Sequence, residues 1–217
     1  MGTKIKICCI SSQQEAQIAL DSGADVLGLV AKMPSGPGTI ADDLIQEIAT
    51  IIPPHIDSFL LTPKTDPYEI IAHQRATGTN CIQLVDAVPV EAYRVLRANL
   101  PNIKLIQVIH VTSEESIIEA SMYESLADII LLDSGNPNLV VKELGGTGRK
   151  HDWDISKRIV ETVSIPVFLA GGLNPENIRE AIAFVKPYGV DICSGVRTDG
   201  KLDPKKLGRL IQAVNNY

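Results

Sequence analysis

Pro166-Val-Phe-Leu-Ala-Gly-Gly-Leu-Asn-Pro-Glu-Asn177 and, one helix later, Val190-Asp-Ile-Cys-Ser-Gly-Val196 decide the fold of this chain. Each begins as an apolar strand-forming run and ends in small residues. The first then reopens at Asn174-Pro175, where a short polar side chain able to cap precedes a proline suited to the first helical position. Two neighbouring strands that end this way expose backbone N–H groups side by side, close to a helix N-terminus, and that arrangement binds a phosphate. In a (β/α)8 barrel it is the site formed by the loops after strands 7 and 8. An anion is therefore expected at Gly171, Gly172, Ser194 and Gly195, held mainly by backbone. The same glycines would also serve a bare pair of tight strand-to-helix turns.

Outward from these segments, short β-rich runs alternate with longer amphipathic ones. Strands are expected at Ile5–Ile10, Val26–Val30, Ser58–Leu61, Cys81–Leu84, Lys104–Ile109, Ile129–Leu132, Val167–Leu169 and Val190–Cys193. Helices are expected at Gln13–Ser22, Ala41–Ile51, Pro67–Thr77, Val90–Ala98, Ser113–Tyr123, Ile155–Thr162, Pro175–Phe184 and Pro204–Asn215. Ser11 or Ser12, Asp66, Asn174 and Asp203 are the N-cap candidates, and Gly23, Gly78 and Gly189 stand between helix ends and following strands. Eight such units make a single-domain (β/α)8 TIM barrel over residues 1–217. A doubly wound open sheet is the competing architecture, but no early G-x-G-x-x-G follows the first strand.

With 20 basic and 26 acidic residues the net charge is −6, which argues against nucleic acid or a membrane surface as partner. No apolar run approaches the roughly 18 residues of a membrane span, and the N-terminus lacks a signal-peptide core, so cytoplasm is the expected location. Four cysteines without C-x-x-C spacing and only four histidines make a zinc site unexpected. All four cysteines fall in apolar strand-like segments, as buried or site-facing thiols of a reducing compartment would.

Strand alternation in Lys4-Ile-Lys-Ile-Cys-Cys-Ile10 sends Lys6 and Cys8 into the barrel and turns Cys9 towards the helices. Cys8 then stands at the C-terminal end of its strand, where barrel enzymes place reacting groups, although a small core filler has the same pattern. Lys6 lies deeper, where an ion pair with Asp191 on the adjacent eighth strand would occupy it. Asp133 ends the apolar run Ile129-Ile-Leu-Leu and reaches the mouth with few neighbours to solvate it, which suits general-acid work; a loop aspartate capping the next turn would look alike. Gly145-Gly146-Thr-Gly148, followed by Arg149 and Lys150, forms a loop fit to close over a phosphate or sugar. It and the Pro34–Gly38 segment would both cover the catalytic mouth.

Lys6-Ile-Cys8, Gly23-Ala-Asp25 with Gly28, Gln83-Leu84, Leu131-Leu-Asp133, Gly145-Gly-Thr-Gly148 through Asp152-Trp153, Leu169 to Asn177, and Asp191 through Ser194-Gly-Val196 together resemble the phosphoribosylanthranilate isomerase family of tryptophan biosynthesis. The likeness spans the chain in order. It implies a TIM barrel that performs an Amadori rearrangement without a cofactor, with Cys8 as general base and Asp133 as general acid. It also implies phosphate contacts at Gly146, Gly171, Gly172, Ser194 and Gly195.

Departures fall at the other end of the expected substrate. The family usually has glycine where Cys9 stands and an arginine after strand 2, where this chain has Lys32-Met-Pro-Ser-Gly-Pro-Gly38. Its Gln-Leu-His-Gly becomes Gln83-Leu-Val-Asp86, and its Ser-Gly-Val-Glu becomes Ser194-Gly-Val-Arg197. Lys32 or Arg197 is the candidate cation for the aminobenzoate carboxylate, and Gln83 a further substrate contact. Two other readings stand beside this one: an isomerase or epimerase of a different phosphosugar, and a non-catalytic phosphometabolite-binding barrel. The expected partner is a phosphorylated small molecule, with no metal, and the chain acts as a monomer or homodimer.

Overall fold

In the computed structural model, which describes residues 2–216, eight parallel strands close in chain order into a barrel. They are β1 (Lys4–Ile7), β2 (Val26–Val30), β3 (Asp57–Thr62), β4 (Cys81–Leu84), β5 (Lys104–His110), β6 (Ile129–Asp133), β7 (Val167–Leu169) and β8 (Gly189–Ile192). Between and after them run α1 (Gln13–Asp21), α2 (Asp42–Ile51), α3 (Pro67–Thr77), α4 (Val90–Asn99), α5 (Glu115–Tyr123), α6 (Trp153–Thr162), α7 (Ile178–Val185) and α8 (Pro204–Asn215). Past β8 a 3-10 turn, Ser194–Val196, leads to a small antiparallel pair, β9 (Arg197–Thr198) and β10 (Lys201–Leu202), that interrupts the approach to α8.

The helices begin where side chains can satisfy the free N–H groups of a first turn. Ser12 accepts from Glu15 N, Asp66 from Tyr68 and Glu69, Asp152 from Asp154, and Asp203 from Lys205 and Lys206. At Asn174 the outcome differs: its side chain accepts from Glu176 and Asn177, forming a separate turn, and α7 starts only at Ile178. Gly78 ends α3 in the left-handed conformation, as a helix-terminating glycine does.

Alternation along the strands produces two apolar layers. Ile5, Ile7, Leu27 and Leu29 belong to the layer between barrel and helices, while Val26, Val30, Phe59 and Phe168 fill the barrel interior. Phe59 and Phe168 meet edge to face with ring centroids 6.1 Å apart. The β1–β8 register sets Lys6 opposite Asp191, and the expected ion pair forms at 2.6 Å with Lys6 wholly buried.

Candidate active site

β1 ends at Ile7, earlier than the alternation argument requires, so Cys8 and Cys9 lie in the turn beyond it. Cys8 N donates to Ile192 O at 2.9 Å, which continues the β8 pairing one step and keeps the thiol inside. Gly28 on β2 leaves the room: a Cβ there would stand 2.8 Å from Cys8 Sγ and 3.1 Å from Lys6 Cε. Burial pushes the Cys8 thiol up to about 11; the Lys6 ammonium pulls it back, and Asp191 adds to the rise. Burial likewise pushes the Asp191 carboxyl up against the pull of Lys6.

Cys9 corrects the expectation that it faces the helices. Its φ is +63°, in the left-handed region that favours glycine, and the resulting turn brings Cys9 to the same pocket as Cys8. There it is bonded to Cys193, with the two Cα atoms 5.9 Å apart. Two of the four expected thiols are therefore a disulfide joining the ends of β1 and β8, and Cys8 and Cys81 remain free and buried.

Asp133 closes β6 and lines the pocket with Cys8, five barrel positions away in chain order. One carboxylate oxygen accepts from Ser134 N at 2.7 Å, and Ser134 Oγ meets Thr147 Oγ1 at 2.7 Å, tying the strand end to the glycine loop above it. Gly145, Gly146 and Gly148 of that loop line the pocket from one side and Gly36 and Pro37 from the other. Ser35 Oγ donates to Lys142 O at 2.7 Å, so the β2 and β6 loops meet across the mouth.

Gly171, Gly172 and Ser194 also line the pocket. Among the described residues, the backbone N–H groups of Gly171, Gly172 and Leu173 donate to nothing within the chain, while Asn177 Nδ2 holds the turn by donating to Gly172 O at 3.0 Å. The glycines are needed for a reason beyond an approaching ligand. A Cβ on Gly172 would come within 3.0 Å of the Arg149 and Lys150 backbone, and one on Gly195 within 2.0 Å of Leu173 O. The loops after β6, β7 and β8 pack on one another through these positions.

Of the two candidate cations, neither reaches the pocket. Lys32 is exposed and lies outside the lining residues. Arg197 is held elsewhere: its two terminal nitrogens donate to the two carboxylate oxygens of Glu15, each at 3.0 Å, and also to Gly200 O, Cys8 O and Cys9 O. Glu15 in turn accepts from Leu202 N and Ser11 N. Burial acts against the Glu15 carboxylate, but Arg197 and these N–H groups outweigh it and hold its pKa below the usual range. This buried pair ties α1, the Cys8–Cys9 turn and the β9–β10 hairpin together. Nothing in the local sequence announces it, because the partners are 182 residues apart. Gln83 does line the pocket, as does Asp191, which the sequence reading assigned only to its ion pair.

A closed parallel barrel with its polar pocket over the C-terminal strand ends is the architecture of the (β/α)8-barrel enzymes. The family model described as N-(5'phosphoribosyl)anthranilate (PRA) isomerase matches residues 5–213. The chain is 38% identical over 215 residues to the N-(5'-phosphoribosyl)anthranilate isomerase 2 of Methanosarcina mazei, covering 98% of this chain and 94% of that protein. The crystal structure of phosphoribosyl anthranilate isomerase from Thermotoga maritima superimposes with a TM-score of 0.84 at 29% identity, over 99% of this chain and 100% of the other. Another phosphoribosyl anthranilate isomerase, solved in complex with reduced 1-(o-carboxyphenylamino)-1-deoxyribulose 5-phosphate, gives 0.82 at 27% identity over the same shares. The chain belongs to the N-(5'-phosphoribosyl)anthranilate isomerase family.

Proposed function

We propose that this protein isomerises N-(5'-phosphoribosyl)anthranilate to 1-(o-carboxyphenylamino)-1-deoxyribulose 5-phosphate, an aldose–ketose rearrangement of tryptophan biosynthesis, with Asp133 as general acid and Cys8 as general base. The observation that carries the assignment of roles is that these two side chains, from the ends of β6 and β1, line one pocket. Asp133 delivers a proton to the ribose ring oxygen, the ring opens to the protonated imine, and Cys8 removes the C2′ proton to leave the enolamine, which tautomerises to the ketone. Protons and electrons balance within the substrate, so the sequence of steps calls for no cofactor. The phosphate rests on the free N–H groups of Gly171–Leu173 and beside Ser194, with Gly146 and its loop closing from above; Gly195, an expected contact, lies outside the pocket lining and packs on Leu173.

No helix among the described residues is long and apolar enough to cross a membrane. Phosphorylated intermediates stay where they are made because their charge bars them from lipid, and the cytoplasm is the location this reading gives. Transforming a tryptophan auxotroph that lacks this isomerase with the gene tests the function: growth without tryptophan is expected, and failure to grow despite soluble expression overturns it.

A further inference from the structure

The barrel order sets β3 and β4 across the mouth from the β7 and β8 turns, with β2 beside β3. With the phosphate on the latter and the sugar between Cys8 and Asp133, the aromatic half of the substrate meets the wall made by Val30, Met33, Leu61 and Gln83. Among the described residues lining the pocket none is Lys or Arg, while Asp133 and Asp191 are both there. Of the cations near the mouth, Lys142 pairs with Asp86, Arg149 with Glu143 and Arg197 with Glu15, Lys150 lies over the Trp153 ring, and Lys32 is exposed outside the pocket lining. Gln83 on this wall, like Asp191 on β8, keeps a buried oxygen without a partner at the pocket. It is 3% exposed, its Oε1 has no hydrogen-bond partner, and it faces the pocket from mid-β4. A buried amide left unpaired loses the hydrogen bonds it had in water, and a ligand group that restores one gains that difference. Rotating the amide by 180° presents its N–H groups in place of the oxygen, so the same side chain serves an acceptor or a donor.

We propose that Gln83 is the specificity-determining residue of the aromatic end, and that this end selects a flat ring by apolar contact and one hydrogen bond from an uncharged side chain, so that rings bearing an uncharged ortho substituent, or none, are accepted nearly as well as the benzoate. The inference rests on the proposed function and refines its substrate class.

The test measures inhibition of, or direct binding to, the purified full-length protein by three compounds: reduced 1-(o-carboxyphenylamino)-1-deoxyribulose 5-phosphate, its carboxamide counterpart, and the phenylamino counterpart without the ortho group. All three are expected to bind within roughly tenfold of one another, the scale of one hydrogen bond. Gln83→Leu, which fills the same space without a polar atom, is expected to weaken the carboxylate and carboxamide by about tenfold and to leave the phenylamino compound within about threefold. Lys32→Ala is expected to change none of the three. A carboxylate compound bound more than about a hundredfold tighter than the phenylamino one, or lost on Lys32→Ala, overturns the proposal and restores a cationic reader. If Gln83→Leu fails to fold, the wild-type ranking and Lys32→Ala decide alone. Binding of none of the three compounds would instead remove the isomerase function itself.

Discussion

On the β6–β8 side of the mouth the turns present mostly backbone to the pocket, and on the β2–β4 side the strands present side chains. The first side is built from turns whose glycines let three loops pack together and whose N–H groups at Gly171, Gly172 and Leu173 donate to nothing within the chain. The second is an apolar wall with one unpartnered amide. Backbone recognition is indifferent to most side-chain changes but intolerant of any Cβ at the packed positions, so it changes little unless the loops themselves are rebuilt. Recognition by side chains can be rewritten one residue at a time with the barrel unchanged, which is how an arginine expected by family likeness can give way to Lys32 outside the pocket.

The proposed acid–base pair lies between the two sides, and its loss is the largest expected effect. Cys8→Ser and Asp133→Asn should each lower kcat by about 10²–10⁴-fold with KM within a few-fold, in steady-state kinetics on the purified enzyme. A loss confined to KM would make these residues binders and move the chemistry elsewhere. Arg197→Met should come next, since it leaves the Glu15 carboxylate buried alone; about 3–5 kcal/mol of stability is expected to go, read by urea unfolding. Because Arg197 does not line the pocket, affinity for the reduced product should survive at temperatures where the variant is folded. Gly172→Val forces the Arg149–Lys150 backbone away, at a cost of about 1–3 kcal/mol, and should weaken inorganic phosphate more than tenfold in a titration that Ser194→Ala shifts by no more than about threefold. Equal phosphate affinity in wild type and Gly172→Val would dissolve the contrast between the two sides.

The pH response of the thiol itself is the most diagnostic of Cys8. An acid held above the usual thiol range by burial is protonated at neutral pH, and a base must be deprotonated to act. The rate at which iodoacetamide alkylates Cys8, followed by peptide mass mapping, should therefore climb with pH, about tenfold per unit below the folded thiol value of about 11, instead of levelling near pH 7. A plateau from pH 7 upward would show that burial does not govern this thiol in solution.

The β6–β8 side was legible in the sequence because it is written in local grammar. Asp133 at the end of an apolar run, the glycine triplet, and the Gly171–Gly172 and Ser194–Gly195 turns each state their backbone role within a few residues. The same holds for the strand count and for most caps. What escaped depends on pairs distant in the chain. Arg197 reads as a free cation because Glu15 cannot be seen beside it, and Cys9 reads as outward because the apolar run suggests three more strand residues after Ile7. One local clue to Cys9 did exist: the family likeness puts a glycine at that position, and Cys9 adopts the positive φ that favours glycine. Lys6–Asp191 was the long-range pair that could be foreseen, since the closure of β8 on β1 follows from the fold itself.

The Cys9–Cys193 bond lies across the seam where the last strand meets the first. In a barrel that seam is the place where the chain's two ends come together, and noncovalent pairing alone would hold it. With the bond in place, most of the molecule is a covalent ring carrying two short tails. A pulling force applied at the termini would strip β1 and α8 from their neighbours and then pass straight across the sulfurs, leaving β2 to β8 unloaded. In a single-molecule stretching experiment the oxidised protein should extend only by its tails, and reduction should release the full contour of the barrel.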